Sequence, residues 1–334
     1  MTGSFGLMRR RRFIQGAAAA APLIRHARAA ETMVLKLAHP DTTTHPVQKV
    51  ALQFAKLVKD RTGGAIDIRI FPNGQLGTEI NIVSGLTTGI VDLTFHTTGY
   101  IGTMFPQAQL VDLPFLFKDV GIAERVLAGP VGQGIVNSMA AGGVYGLTWG
   151  HYGWREVETT DRVIHDPKDM NGFRIRVQAS AIFTAMFKAV GAIPIVLSTA
   201  PEIYIGLSQN MVSGIDLPVI AYVSSKSNEV TKNICMTNHV YNAGMLMMSK
   251  AKMDSLDPKY QTVIRDAATE VQPLWRKLVA DTTDDNIKYC EQKGIKINQT
   301  DFAAFERAMQ PVYTEFKDKL GADSVNNIIK AATA

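Results

Sequence analysis

The first 120 residues alternate between two hydrophobic periods, and this alternation constrains the fold more than any other feature. The stretch 33–38 (MVLKLA) has the length and composition of a short strand. Over 45–61 the apolar residues Val47, Val50, Ala51, Phe54, Leu57 and Val58 recur on one helical face, and Gly63-Gly64 ends the run. The stretch 66–71 (IDIRIF) alternates as a strand, and Pro72-Asn73-Gly74 turns the chain. A helix over 79–89 and a strand over 91–95 follow. Strand and helix in turn predict an α/β layered fold with a largely parallel sheet. Such sheets bind ligands beyond the carboxyl ends of their strands. That rule nominates His39, Asp41, His96, Thr97 and Thr98 by position alone.

Further on, the pattern predicts strands over 144–151, 173–177 and 193–197 and helices over 182–191 and 201–210. A short extended piece covers 215–218. From 258 to about 293 the pattern is helical, interrupted only by Pro273. At about 1.5 Å per residue such a helix exceeds about 50 Å, enough to cross two lobes. Pro273 should kink it. More helix is expected over 302–320. The 334-residue length corresponds to about two domains.

The formal charge of +5 and the pI near 9.1 invite a nucleic-acid reading. The placement of the charges removes it. Residues 1–29 hold six arginines with no lysine and no acid, so the rest of the chain carries 29 basic against 30 acidic side chains. Arg9, Arg10, Arg11 and Arg12 precede an apolar run over 14–24 that is too short to span a bilayer. Ala27-Arg28-Ala29 fits a cleavage site, which places processing after Ala29 or Ala30. Arg10-Arg11-Arg12-Phe13-Ile14 resembles the twin-arginine export signal, with a Sec signal as the plainer alternative. A soluble, periplasmic mature protein is expected. Cys235 and Cys290 are too few for a disulfide scaffold, whether bonded or free.

Catalytic chemistry is not prominent. There is no glycine-rich phosphate loop and no Gly-x-Ser-x-Gly elbow, and the cysteines lack zinc-ligand spacing. His39 and His45, six residues apart, are a weak metal signal. No cofactor, no metal and no enzymatic role is expected. Arg174 and Arg176, two apart on one predicted strand, are the informative pair. A buried guanidinium is costly unless paired, and its planar fork suits a carboxylate.

With these residues in place, the chain resembles the solute-binding proteins of tripartite ATP-independent periplasmic (TRAP) transporters, the family of C4-dicarboxylate and sialic acid binders. The resemblance rests on His45-Pro46, Phe71-Pro72-Asn73-Gly74-Gln75-Leu76-Gly77, Asp112-Leu113-Pro114-Phe115-Leu116-Phe117, Gly153-Trp154-Arg155, Gly172-Phe173-Arg174-Ile175-Arg176-Val177, Glu202-Ile203-Tyr204 and Met236-Thr237-Asn238-His239, in that order along nearly all of the mature chain. It implies a two-lobed α/β periplasmic binding protein of type II-like fold, with a long kinked helix spanning both lobes. The lobes would comprise 30–152 with about 243–282, and 153–242 with about 283–334. It further implies that Arg176 clamps a substrate carboxylate, that Arg174 supports it and that Arg155 is a second arginine near the site. Delivery to small and large TRAP membrane subunits follows. A binding protein serving a receptor, or a periplasmic enzyme on a related scaffold, are the rival classes.

Departures from the family pattern bear on the ligand. Leu217, after Asp216, stands where a carboxamide is common, and Ala200-Pro201 stand where Phe-Ser is common. The site thereby gains apolar surface, which favours an aromatic or branched, relatively apolar carboxylate over sialic acid. A C4-dicarboxylate stays open, with Arg155 for its second carboxylate. His96 and Asp216 are candidates for a hydroxyl or keto oxygen. Tyr100, Trp149, Tyr152, Trp154 and Tyr222 are candidate aromatic walls.

Overall fold

Nine strands join in one mixed sheet: β1 (Met33–Ala38), β2 (Ile66–Phe71), β3 (Leu93–Thr97), β4 (Val144–Thr159), β5 (Arg174–Val177), β6 (Ile193–Val196), β7 (Gly214–Pro218), β8 (Asn233–Ser249) and β9 (Lys296–Gln299). Their order is β2-β1-β3-β8-β4-β7-β5-β6, with β9 also paired to β8. The computed structural model describes residues 1–3 and 32–334, so the expected export signal and its cleavage site lie outside the described residues.

The outer strands are parallel, as the strand–helix alternation predicts: β1 pairs with β2 and β3, and β5 with β6 and β7. The centre differs. β4 and β8, of 16 and 17 residues, run antiparallel to each other, and also to β7 and β3 respectively. The sheet is therefore mixed rather than largely parallel. Nearly every residue of β8 is buried, so it carries no period-two pattern. In β4 the register slips between His151 and Trp154, where Gly153 sits at φ +97°.

Among the described residues fourteen helices cover the sheet: α1 (Pro46–Arg61), α2 (Glu79–Thr88), α3 (Thr98–Ile101), α4 (Val120–Ala128), α5 (Pro130–Ala141), α6 (Ala181–Ala189), α7 (Ala200–Ser208), α8 (Val219–Ser224), α9 (Lys250–Asp254), α10 (Pro258–Glu270), α11 (Gln272–Gln292), α12 (Phe302–Ala308), α13 (Gln310–Leu320) and α14 (Ala322–Thr333). Their ends follow local chemistry. His45 caps α1 by accepting the Val47 amide, and Thr199 with Glu202 forms a capping box on α7. Helices α4, α5 and α14 were not expected from the pattern. The helix expected over 302–320 breaks at Met309. The strand expected over 91–95 runs from Leu93 to Thr97, which puts His96 and Thr97 in its last turn of pleat.

The long helix is bent. It breaks at Val271 into α10 and α11, and Pro273 lies in the first turn of the second segment. α11 packs on α1 and β4 and also on α8 and β9, so it touches helices from both halves of the chain and two strands that pair with β8. Trp275 seats it. An added Cβ on Gly150 would lie 2.3 Å from the Trp275 ring, and Gly150 pairs directly with Gly244 of β8. Two glycines in register give the indole a bare patch of backbone. Both cysteines are buried free thiols.

Candidate ligand-binding site

A cavity of about 120 Å³ opens at the carboxyl ends of five strands. Asp41 and Thr42 follow β1, His96 and Thr97 end β3, Gln178 follows β5, Ser198 follows β6, and Leu217 and Pro218 end β7. The cavity lies where the strand-end rule points, although His39 and Thr98, nominated by the same rule, do not line it. Glu79 at the start of α2, Tyr100 of α3, Arg155 and Tyr152 of β4, Arg176 of β5 and Asn242 of β8 complete the polar wall. Ala200, Ile203, Leu217, Pro218 and Ala221 supply apolar lining from the second half of the chain.

Arg176 is 2% exposed. Its Nε donates to the Leu197 carbonyl at 2.7 Å, Nη1 to the Asp216 carbonyl at 3.5 Å and Nη2 to the Tyr100 hydroxyl at 3.4 Å. Among the described residues no carboxylate lies within 4.0 Å of it. It is a buried cation held by neutral oxygens, two of them at long range. Desolvating a guanidinium costs several kcal/mol unless an anion meets it, roughly as for any buried ion. Arg174, by contrast, is exposed at the strand start and donates to the Asn210 carbonyl at 2.7 Å.

Arg155 has the opposite character. Its Nε donates to Asp216 Oδ1 at 2.6 Å, Nη2 to the Asp216 carbonyl, and Nη1 to Gln178 Oε1 at 3.3 Å and Asn242 Oδ1 at 3.2 Å. The guanidinium lies 4.5 Å from the Phe183 ring centroid. His239 Nε2 stands 3.3 Å from the same Asp216 oxygen. Burial works to raise the Asp216 carboxyl, but Arg155 and His239 outweigh it and hold it at about 2.

The wall built by residues 41–97 carries groups that lack partners. Asp41 Oδ2, Glu79 Oε2, His96 Nε2 and Thr97 Oγ1 are buried with no hydrogen bond. His96 Nδ1 accepts the Thr97 amide at 3.0 Å, so its hydrogen sits on Nε2. Burial pushes the His96 imidazole down to about 3, which keeps it neutral. Burial raises the Asp41 carboxyl to about 6 against the opposing pull of His39, and burial raises Glu79 as well. Such unpaired buried groups are expensive and call for a partner.

The structure brings together Arg176, Arg155, His96, Thr97, Tyr100 and Leu217, with Asp216 directly behind Arg155. Five expected site residues fall elsewhere. Tyr222 is wholly buried beneath α8, where its hydroxyl meets Thr231 Oγ1 at 2.6 Å. Trp149 borders a separate cavity of about 40 Å³ with Glu124, His151, Tyr241 and Arg276. His39 is turned inward, and its Nε2 donates to Gln48 Oε1 at 2.8 Å. Trp154 packs edge-on against Tyr241 outside the cavity, and Thr98 donates to Asp112 at 2.6 Å. Strand ends fix where a residue sits, not where its side chain points. Sequence reasoning missed Glu79, Gln178, Ser198, Ile203 and Asn242. Gln178 was findable, because it extends the two-residue spacing of Arg174 and Arg176. Among the described residues no cluster is arranged to hold a metal ion, and no helix is long and apolar enough to cross a membrane.

Comparison with known proteins gives a consistent result. Residues 37–319 match bacterial extracellular solute-binding protein family 7. The 2,3-diketo-L-gulonate-binding periplasmic protein of Escherichia coli is 30% identical over 276 residues, covering 82% of this chain and 84% of that one. A sugar acid binding protein of Advenella mimigardefordensis, solved with galactonate, superposes with a TM-score of 0.87 at 26% identity, covering 90% of this chain and 98% of that one. A TRAP periplasmic solute binding protein of Shewanella oneidensis, solved with succinate, superposes at 0.85 with 27% identity, covering 90% and 99%.

Proposed function

The chain belongs to bacterial extracellular solute-binding protein family 7, the TRAP solute-binding proteins, and from that premise we propose that its cavity captures an organic acid with Arg176 on the carboxylate. The observation that carries the reading is the isolation of Arg176: a buried guanidinium, facing a cavity, with no carboxylate of its own. A ligand carboxylate supplies the missing anion through parallel charge-assisted hydrogen bonds. Tyr100 accepts from Arg176, so its hydroxyl hydrogen is free to join the same cradle.

Arg155 serves as support rather than as a second open clamp, because Asp216 already neutralises it. This weighs against a C4-dicarboxylate. The apolar flank of Ala200, Ile203, Leu217 and Ala221 suits a branched or aromatic body, and the flank of Asp41, Glu79, His96 and Thr97 suits one polar group on it. The ligand class is thus a monocarboxylate that is apolar on one side and polar on the other.

Capture proceeds by closure of two lobes, 30–152 with about 243–282 and 153–242 with about 283–334. The register slip between His151 and Trp154, beside Gly153, falls at the first of these boundaries and supports it. Closure removes water and strengthens the Arg176 contact. The ligand favours the closed form only by its greater affinity for it. The mature protein acts in the periplasm after export and delivers its ligand to the small and large TRAP membrane subunits. A thermal-shift screen of organic acids identifies the ligand, since binding to the folded state alone raises apparent stability. Undiminished binding of that acid to Arg176→Ala in a calorimetric titration would sink the assignment.

A further inference from the structure

The carboxylates of Asp41 and Glu79 have no part in holding an anion. Both border the cavity, and each keeps a buried oxygen without a hydrogen-bond partner. The basic side chains of the cavity wall are Arg155 and Arg176. Arg155 is matched by Asp216. On the reading above, Arg176 is matched by the ligand carboxylate. Asp41 and Glu79 then face a filled, water-poor site with no counter-charge.

The nearby imidazoles do not supply it. His45 Nδ1 accepts the Val47 amide at 3.2 Å, so its ring is neutral with hydrogen on Nε2, 4.0 Å from Asp41. His39 pulls on Asp41 from outside the cavity wall, but its Nε2–H is spent on Gln48 and burial disfavours its charged form. His96, likewise neutral, lines the wall 1% exposed with its Nε2–H unused. That hydrogen and the donors of Arg176 and Gln178 border the same cavity, where an anion can accept from them. Asp41 and Glu79, as carboxylates, only accept. Asp41, Glu79 and Arg176 border the one cavity, so the two kinds of group share it.

We infer that the ligand is a zwitterion, an amino acid or other amine-bearing carboxylic acid, with its carboxylate on Arg176 and its ammonium against Asp41 and Glu79. An ammonium offers three donors and one positive charge to two acceptors that lack both. A second carboxylate at that end meets like charge and is rejected. The apolar flank of Ile203 and Leu217 receives the carbon skeleton. This inference rests on the Arg176 reading and narrows it.

The test is a calorimetric titration of the purified protein with two matched series: valine, 2-hydroxyisovalerate and isopropylmalonate, and 4-aminobutyrate, 4-hydroxybutyrate and succinate. The amine of at least one series is expected to bind about tenfold or more tightly than its hydroxyl and dicarboxylate counterparts, as a charge-assisted contact should. In Asp41→Asn and Glu79→Gln that preference is expected to shrink, with the larger loss falling on the amine. A hydroxy acid or dicarboxylate that binds as tightly as the tightest-binding amine, or more tightly, overturns the inference, and so does a failure of every amine to bind. If Arg176→Ala abolishes that hydroxy-acid binding, the carboxylate reading survives its refinement. If Arg176→Ala leaves it intact, both fail.

Discussion

Arg155 and Asp216 form a wholly buried ion pair, Nε to Oδ1 at 2.6 Å, with side chains 1% and 0% exposed, directly behind the ligand cavity. Breaking such a pair strands a charge, whereas replacing both partners does not. Asp216→Asn is expected to cost about 3–5 kcal/mol in urea denaturation. The double change Arg155→Met, Asp216→Leu should cost less than Asp216→Asn alone. The pH dependence follows from a folded carboxyl at about 2 against an ordinary 3.8. The depressed value means that the contribution is present above pH 3.8 and is lost as pH falls through about 2. Relative to Asp216→Asn, the native protein should lose its advantage across that interval and not before.

Arg176 predicts the reverse pattern, because among the described residues no carboxylate pairs with it within 4.0 Å. Arg176→Ala should leave the ligand-free protein as stable as the native one, or more so, by removing a buried cation that only neutral oxygens hold. Its ligand affinity should fall by about 2–5 kcal/mol, the usual cost of truncating one side of a buried charged contact. Arg176→Lys should restore charge but not the planar fork, and recover only part of the affinity. Unfolding and calorimetry on the same samples separate the two effects.

Glu156 gives a pH effect of opposite sign. It is 1% exposed, and its Oε2 accepts the Asn238 amide at 2.8 Å. Burial pushes its carboxyl up to about 8, helped by the nearby Asp216 charge. Below pH 4.5 the folded and unfolded chains both hold the proton. Above it the unfolded chain releases the proton while the folded one keeps it, so stability falls until about pH 8. Glu156→Gln mimics the protonated form and should flatten this fall. The variant should match the native protein near pH 4 and exceed it near pH 8 in thermal unfolding.

What was legible in the sequence depended on exposure to a periodic environment. Strands β1 and β2 and helix α1 were readable because one face is buried and the other wet. β8 was not, since burial of nearly every residue erases alternation. β4 was read only to His151, because Gly153 and the slipped register interrupt it. At the site, the pair Arg174 and Arg176 stood out because charged residues on an apolar strand need a reason, and the family resemblance rather than the spacing singled out Arg176. Tyr222 and Trp149 were not separable from true cavity walls, because an aromatic serves core and cleft alike. Asp41 was placed by its strand end, while Glu79 enters from a helix start that no strand rule covers.

The seating of α11 gives the last prediction. Trp275 lies over the Gly150–Gly244 pair, edge-on to Phe95 at 5.1 Å and to Tyr152 at 5.7 Å between ring centroids. Tyr152 in turn lines the cavity. Gly150→Ala would put a methyl 2.3 Å from the indole, closer than any real contact, so the helix must shift. Overpacking of this kind typically costs about 1–3 kcal/mol. Because the shifted indole presses on Tyr152, Gly150→Ala should also weaken ligand binding, although residue 150 does not line the cavity. Adding Trp275→Leu to Gly150→Ala relieves the clash and should recover part of both losses. Thermal unfolding and titration of the single and double variants measure this, and purely additive losses would show that the two positions are not coupled.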